Sequence, residues 1–222
     1  PCLIQKGNRL EKPVSMTITF QQLHPVLQIL VGAGVLYLLL CLVALLVARP
    51  MLFPAPPSSY DESYPNVALR TPDGQGVSGL FLENPDASLT LLLSHGNGED
   101  IGRLKETLEE FRDLGFSVLA YDYPGYGLSQ GSPSEQGCFQ SAEASYRYLV
   151  DDLGISPDSI VLYGRSLGGG PSLELATKYS VGGIVLESTF VSAFRVLTRI
   201  TFFPFDQFRN LDKIPEINCP SL

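Results

Sequence analysis

The most constraining feature of this sequence is the pentapeptide Gly164-Arg165-Ser166-Leu167-Gly168. It follows a short apolar run, Ile160 to Tyr163, and precedes a helix-compatible stretch from Pro171 to Tyr179. A Gly-x-Ser-x-Gly between a strand and a helix predicts a sharp turn that strains the serine backbone and exposes its hydroxyl above a sheet. Glycines are needed on both sides because a Cβ there would collide with the strand or the helix. The pattern therefore predicts a nucleophilic serine, Ser166.

The base that such a serine needs is not evident in the sequence. A serine hydroxyl is a weak nucleophile unless a histidine, oriented by a carboxylate, removes its proton. The chain contains two histidines, His24 and His95. His24 is excluded by its position before a long apolar run. His95 ends a predicted strand, and we expect its ring to hydrogen-bond to backbone and to support the next loop.

The N-terminal part of the chain contains an apolar run without charge, Ile29 to Ala48. Helical residues rise ~1.5 Å each, so about twenty of them span the ~30 Å hydrocarbon core of a bilayer. A buried core helix would show a polar stripe, and a signal peptide has a shorter apolar region before its cleavage site. We therefore predict an uncleaved, single-pass anchor in a membrane lipid bilayer.

This anchor divides the chain into four predicted parts: an N-terminal flank (1–25), a transmembrane helix (26–48), a proline-rich linker (49–65) and a folded domain (66–222). The linker is expected to be stiff and extended, as suits a spacer between a bilayer and a domain. The side of the membrane stays open. Basic residues before the helix favour a cytoplasmic N-terminus, whereas a start at Met16 would leave Arg49 to favour the opposite orientation.

Charge and cysteine content exclude several classes of protein. The formal net charge is −8, and no Lys/Arg cluster provides the basic surface that nucleic-acid binding needs. The four cysteines include no C-x-x-C pair, so neither a disulfide framework nor a zinc site is indicated.

From Asn66 onward, short apolar runs alternate with amphipathic stretches, a pattern typical of a mostly parallel α/β sheet. Two runs around a Thr-Pro-Asp-Gly turn predict a β-hairpin. Further strands are predicted at 89–93, 116–121, 160–163 and 183–186, and helices around 104–114, 139–153 and 171–179. Polar and glycine-rich segments follow the strand ends, and that edge binds ligands in open α/β sheets.

Three motifs in this part of the chain resemble those of the α/β-hydrolase superfamily. They are His95–Gly98, Tyr121–Ser129 and Gly164–Gly170, in that order. More narrowly, the chain resembles membrane-anchored serine hydrolases related to α/β-hydrolase-domain depalmitoylases and to serine aminopeptidase-like proteins. The resemblance covers about Asn66 to Leu222. It implies an α/β-hydrolase fold with helices on both faces of the sheet.

The resemblance also implies a role for each motif. Ser166 would be the nucleophile, and the backbone N–H groups of Leu167 and Asn97 would form the oxyanion hole. Losing one such donor can raise the barrier by ~3–4 kcal/mol. The alternative for Asn97 is a turn residue that tolerates unusual backbone angles.

Two carboxylates near the predicted site leave alternatives open. Asp122 lies in a motif that the resemblance marks as a structural turn, with its carboxylate satisfying loop amides. Glu187 ends the strand that follows the sharp turn at Ser166, here called the elbow. Some α/β-hydrolases keep their catalytic acid at this place, so Glu187 is a candidate acid. Its alternative role is to brace a loop or the pocket wall. Arg165 is expected to form a salt bridge or to pack beside the turn at Ser166, rather than to contact substrate.

The resemblance places the catalytic acid and histidine after the nucleophile in chain order. Residues 217–222 have the pattern of a strand that has just begun. We therefore expect a truncated domain whose last strands, acid loop and histidine loop lie beyond Leu222.

Two functions from different classes remain. The first is a membrane-anchored serine hydrolase that cleaves carboxylic ester, thioester or small amide bonds of a small-molecule or acylated substrate. The second is an inactive membrane-bound binding protein with the same fold. The phenylalanine-rich segment 190–212 is either an apolar lid or ordinary helix packing. Acyl transfer of this kind requires no metal or organic cofactor, and the sequence does not indicate an oligomeric state.

Overall fold

The computed structural model of the chain describes residues 24–222. Nearly all of the predicted flank, residues 1–23, therefore lies outside the described residues. The chain divides after Leu45 into an N-terminal unit and a unit that runs from Leu46 to Leu222.

The first described element is helix α1, Pro25–Leu52. Its length of 28 residues and its apolar composition are sufficient to cross a membrane. It continues four residues beyond the predicted end at Ala48, past Pro50. A proline so close to the C-terminal end interrupts little of the helical hydrogen bonding. By length and composition, the residues from 24 onward thus contain one candidate membrane helix, near the N-terminus.

The unit from Leu46 to Leu222 is built around a six-stranded sheet in the order β1-β2-β4-β3-β5-β6. The strands are β1 Val67–Arg70, β2 Gly76–Leu82, β3 Thr90–Ser94, β4 Ser117–Tyr121, β5 Ile160–Arg165 and β6 Gly183–Glu187. The β1–β2 hairpin and the β2–β4 pair are antiparallel, and the pairs β3–β4, β3–β5 and β5–β6 are parallel. This confirms the predicted hairpin and the mostly parallel sheet.

Helices cover both faces of the sheet, as predicted. They are α2 Lys105–Asp113, α3 Glu135–Arg147, α4 Gly169–Lys178, α5 Arg195–Thr198 and α6 Asn210–Lys213. Alternate residues of β3 show why two layers form, because side chains along a strand point to opposite faces. Leu92 packs in the cluster that contains residues of α3 and α4, whereas Leu91 and Leu93 pack in the cluster that contains Leu108 of α2.

The register brings the carboxyl ends of the parallel strands to one edge. Ser94 at the end of β3 pairs with both Tyr121 and Gly164, and Arg165 pairs with Glu187. Beyond β6, Ser221 forms a parallel bridge with Ile184. Residues 217–222 therefore include the start of a further strand pairing, which confirms that part of the sequence interpretation.

The segment predicted as a proline-rich linker contacts the folded domain. Phe53 is buried and packs edge-on against Phe208, with ring centroids 6.0 Å apart. The backbone N–H of Ser59 donates a 2.7 Å hydrogen bond to Asp100. The proline content carries no information about these partners, which are distant in sequence.

Candidate active site

Ser166 lies at a sharp turn between β5 and α4. Its φ is +51°, in the left-handed region that costs a residue with a side chain about 1–2 kcal/mol. A short 3-10 turn, Ser166–Gly168, joins the strand to the helix. Backbone strain of this kind persists only where surrounding structure enforces it, and it clusters at functional sites.

The two flanking glycines are required by close backbone contacts. A Cβ on Gly164 would lie 2.7 Å from Cα of Gly169, in the helix that follows. A Cβ on Gly168 would lie 1.9 Å from the carbonyl oxygen of Ser94, at the end of β3. The collisions expected from the sequence are therefore present at both positions, with a neighbouring strand as the second obstacle.

Two loops from other strand ends border Ser166, whose side chain is partly exposed. From the loop after β3, a Cβ on Gly96 would lie 3.7 Å from Cβ of Ser166. From the loop after β6, the Thr189 hydroxyl donates a 2.9 Å hydrogen bond to the carbonyl oxygen of Ser166. The serine thus faces the loop that carries Asn97.

The two predicted oxyanion donors are the residues that follow Ser166 and Gly96 in the chain. Leu167 is buried at the start of the elbow turn, and Asn97 is exposed in the turn after β3. The neighbouring Gly96 N–H donates a 3.2 Å hydrogen bond to the Glu99 carboxylate, so that amide is already used. Their service as oxyanion donors stays a prediction.

A line of charged groups joins these loops. The Arg165 guanidinium lies 3.3 Å from Glu99 and 3.8 Å from Glu187, and the Tyr163 hydroxyl donates a 2.8 Å hydrogen bond to Glu187. Arg165 is therefore held beside the elbow by carboxylates from two different strand ends, in agreement with the salt bridge expected for it. Glu187, the candidate acid, contacts Arg165 and Tyr163 and no described histidine.

His95 is buried, and both nitrogens of its ring lie next to groups other than the Ser166 hydroxyl. Its Nδ1 lies 2.7 Å from the carbonyl oxygen of Gly96 and must donate, because a carbonyl oxygen only accepts. Its Nε2 lies 3.4 Å from Asp122 Oδ1. Both ring nitrogens thus face groups of the supporting loops, as expected from its position at the end of a strand.

Comparison with known proteins agrees with this architecture. The family model described as serine aminopeptidase, S33, matches residues 85–204, more than half of the chain. The chain belongs to the serine aminopeptidase S33 family of α/β-hydrolases. The resemblance inferred from the three motifs is therefore confirmed.

Curated relatives of this α/β-hydrolase include two named proteins. Human alpha/beta hydrolase domain-containing protein 17B is 36% identical over 158 residues, which cover 69% of this chain and 54% of that protein. The Caenorhabditis elegans protein aho-3 is 37% identical over 144 residues, covering 62% of this chain and 42% of that protein. The chain thus spans about half the length of the curated relatives it matches.

Solved structures show the same fold. The alpha-beta hydrolase from Vibrio vulnificus has a TM-score of 0.59 at 26% identity and covers 70% of this chain and 61% of its own. The Pyrococcus furiosus esterase Pf2001 has a TM-score of 0.59 at 17% identity, covering 76% of this chain and 75% of its own. The second likeness shows the fold alone.

Sequence reasoning missed the groups that hold Asp122. Its carboxylate, fully buried, accepts a 2.9 Å hydrogen bond from the Ile101 N–H and a short one from the Tyr60 hydroxyl. The loop amide was expected, but Tyr60 was not, because it lies in a segment interpreted as a spacer. No local pattern in that segment signals a partner 62 residues away.

The α/β-hydrolase core buries several tyrosines whose hydroxyls must stay protonated. Burial raises the pKa of Tyr121 and Tyr123 well above the ordinary value and that of Tyr126 to about 12. The folded state keeps these protons where the unfolded chain releases them, above about pH 10. The unfolded state then binds fewer protons, so the free energy of unfolding falls as pH rises.

We therefore expect the free energy of unfolding to fall above about pH 10, by up to about 1.4 kcal/mol per pH unit for each tyrosine. The melting temperature should drop with it. Circular dichroism melts across this range measure it. Tyr121→Phe removes one of these protons and should flatten the slope. A melting temperature that stays level through this range contradicts the expectation.

Proposed function

We propose that this chain forms the nucleophile-bearing part of a membrane-anchored serine hydrolase that cleaves carboxylic ester, thioester or small amide bonds. The observation that carries the proposal is the left-handed backbone of Ser166, with φ +51°, between two glycines whose hydrogens face backbone. Such a turn stores strain without adding to the core, which suits a nucleophile exposed for reaction.

In the proposed reaction the Ser166 oxygen attacks the substrate carbonyl carbon while a base takes the hydroxyl proton. The carbonyl oxygen becomes an anion, and the N–H groups of Leu167 and Asn97 stabilise it. The leaving group departs with the transferred proton and leaves an acyl-enzyme on Ser166. Water then attacks the acyl carbon, and the serine and the carboxylic acid are released.

The base is proposed to be a histidine outside residues 24–222. Both nitrogens of His95 face the groups around Gly96 and Asp122, and His24 precedes α1. The curated relatives are about twice as long as the region they share with this chain, which leaves room for an acid and a histidine. Glu187 is proposed to brace the elbow through Arg165 and Tyr163.

The membrane anchor belongs to the same proposal. Helix α1 has the length and composition to span a bilayer, and it would hold the hydrolase near acylated or lipid-like substrates.

Labelling with a fluorophosphonate probe tests the proposed reaction. The protein, expressed from its complete reading frame in detergent or nanodiscs, should form a covalent adduct that peptide mapping assigns to Ser166. A panel of one acyl ester, one acyl thioester and one aminoacyl amide then identifies the bond class. If Ser166 stays unlabelled while a control hydrolase labels fully, the alternative of an inactive, membrane-bound α/β-hydrolase-like binding protein is correct.

The oxyanion role of Asn97 has its own test, because the proposed donor is backbone. Asn97→Ala keeps the N–H and should leave the labelling rate within about threefold of wild type. Asn97→Pro removes the N–H and should slow labelling by about 100-fold or more. Gly96 before it tolerates the backbone restriction that proline imposes on its neighbour. Equal rates for the two variants, at equal melting temperatures, would exclude Asn97 as a donor.

A further inference from the structure

Residues 53–64, here called the strap, follow α1 and run along the loop that carries Asn97. Near its start, Pro54 lies beside Gly98, where a Cβ would be 3.7 Å from the proline Cγ. Further along it, Ser59 and Tyr60 pack on Gly102, where a Cβ would be 2.5 Å from Ser59 Oγ and 2.9 Å from Tyr60 Cδ1. The strap therefore contacts both ends of the segment 98–102.

Two buried carboxylates hold the strap to this segment. Asp100 accepts hydrogen bonds from both the N–H and the hydroxyl of Ser59, and also from the Arg103 N–H. Asp122 accepts from the Tyr60 hydroxyl through Oδ2 and from the Ile101 N–H through Oδ1. A buried carboxylate left with fewer donors is destabilised, so each bond fixes the groups around it.

Asp122 connects the strap to the loop beside the nucleophile. The oxygen that accepts from Ile101 also lies 3.4 Å from Nε2 of His95, and the other nitrogen of that ring bonds the carbonyl of Gly96. The series Tyr60, Asp122, His95, Gly96 thus ends at the residue before Asn97. Each member except Gly96 acts through a side chain that is half-buried or fully buried.

The Tyr60 hydroxyl fits its position closely. It donates to Asp122 and accepts a 3.1 Å hydrogen bond from the Leu128 N–H. A Cβ on Gly127 would lie 2.5 Å from this hydroxyl oxygen and 1.9 Å from Asp122 Oδ2. Burial and the negative charge of Asp122 raise the pKa of Tyr60, so the hydroxyl keeps the proton it donates.

We propose that the strap is a positioning element for the oxyanion loop, and that Tyr60 is its principal positioning residue. Tyr60 donates to Asp122, Asp122 accepts from the Ile101 amide and Asp100 accepts from Ser59, and together these bonds fix loop 95–101 against Ser166. The inference rests on the proposed function, because it assigns Tyr60 to the geometry of the proposed Asn97 donor. It also joins α1 to that geometry, because the strap follows α1 directly in the chain.

The strap offers a matched pair of variants for the test. Tyr60 and Tyr64 lie 5.0 Å apart, centroid to centroid, and both lose only a hydroxyl on change to Phe. The Tyr64 hydroxyl is buried without a hydrogen-bond partner among the described residues. Tyr60→Phe should therefore affect loop 95–101, and Tyr64→Phe should not.

Amide hydrogen exchange of the full chain in nanodiscs is the first measurement. In Tyr60→Phe, exchange of peptides covering 95–101 should rise about tenfold or more, while peptides from the strands β3, β4 and β5 themselves stay near wild type. Ser59→Ala should raise exchange of the same peptides. If neither variant differs from Tyr64→Phe in loop 95–101, the strap does not hold the loop and the proposal is wrong.

Saturation kinetics of fluorophosphonate labelling is the second measurement, on the protein from its complete reading frame. Tyr60→Phe should lower the maximal labelling rate about tenfold and leave half-saturation unchanged, since a misplaced donor affects the transition state more than probe binding. An unchanged maximal rate in a loop that exchanges faster overturns the positioning role. Failure of the wild type to label contradicts the proposed function, and the exchange measurement then decides alone whether Tyr60 holds the loop.

Discussion

Replacing Ser166 with alanine should abolish covalent labelling and hydrolysis by the protein expressed from its complete reading frame. The variant removes the oxygen that forms the acyl-enzyme, and no described hydroxyl occupies an equivalent strained position at the end of β5. Loss of the nucleophile in a serine hydrolase lowers turnover by about 10⁴-fold or more, leaving only the effect of binding and the oxyanion hole. Initial rates on the substrate identified by the panel measure the effect.

The control for this variant is Ser180→Ala, an exposed serine beyond the end of α4. It should label and hydrolyse as the wild type does. Both variants should melt at temperatures close to wild type, because Ser166 is only partly buried and its side chain forms no hydrogen bond to another of the described residues. A loss of less than about 100-fold in the rate of hydrolysis by Ser166→Ala would contradict the role of Ser166 as the nucleophile.

The second large effect is structural: Gly168→Ala should prevent the domain from folding. The added Cβ would lie 1.9 Å from the carbonyl oxygen and 2.4 Å from the carbonyl carbon of Ser94. Both atoms are backbone at the end of β3, which is hydrogen-bonded on each side to β4 and β5. The strand cannot move without breaking the centre of the sheet, so we expect a loss of about 4 kcal/mol or more. The yield of folded protein and its melting temperature report the loss.

Gly76→Ala is the matched control, because the same methyl group meets a soft neighbour there. Its Cβ would lie 3.1 Å from Cδ of the flexible Gln130 side chain, which can move at the cost of one exposed hydrogen bond from the Gly76 N–H. The change in unfolding free energy should stay below about 1 kcal/mol. Equal destabilisation by the two variants would mean that the contact with Ser94 does not set the requirement for glycine at the elbow.

Much of the fold could be predicted because its signals are local. Apolar runs of strand length, helical spacings and turn residues identified all six strands and the three longer helices of the domain. The Gly-x-Ser-x-Gly spacing identified the elbow, since the requirement for glycine follows from backbone geometry at that turn. The three motifs identified the superfamily because they fall at the strand ends in the order that the fold requires.

The missed contacts are those between residues distant in sequence. Tyr60 and Asp122 are 62 positions apart, and Ser59 and Asp100 are 41 apart. A proline-rich segment has no hydrophobic period to reveal which surface it covers, so its contacts with the domain could not be predicted. The bridge from Glu99 through Arg165 to Glu187 likewise depends on which strand ends become neighbours.

The sequence by itself determined the class of fold, the candidate nucleophile and the apolar helix, because each depends on the residues in one short window. Tertiary structure alone decided that Tyr60 donates to Asp122 and that the strap lies along loop 95–101. Those outcomes depend on the order β2-β4-β3-β5 in the sheet. That order brings the ends of distant strands together in space. It follows from long-range pairing and burial rather than from any local propensity.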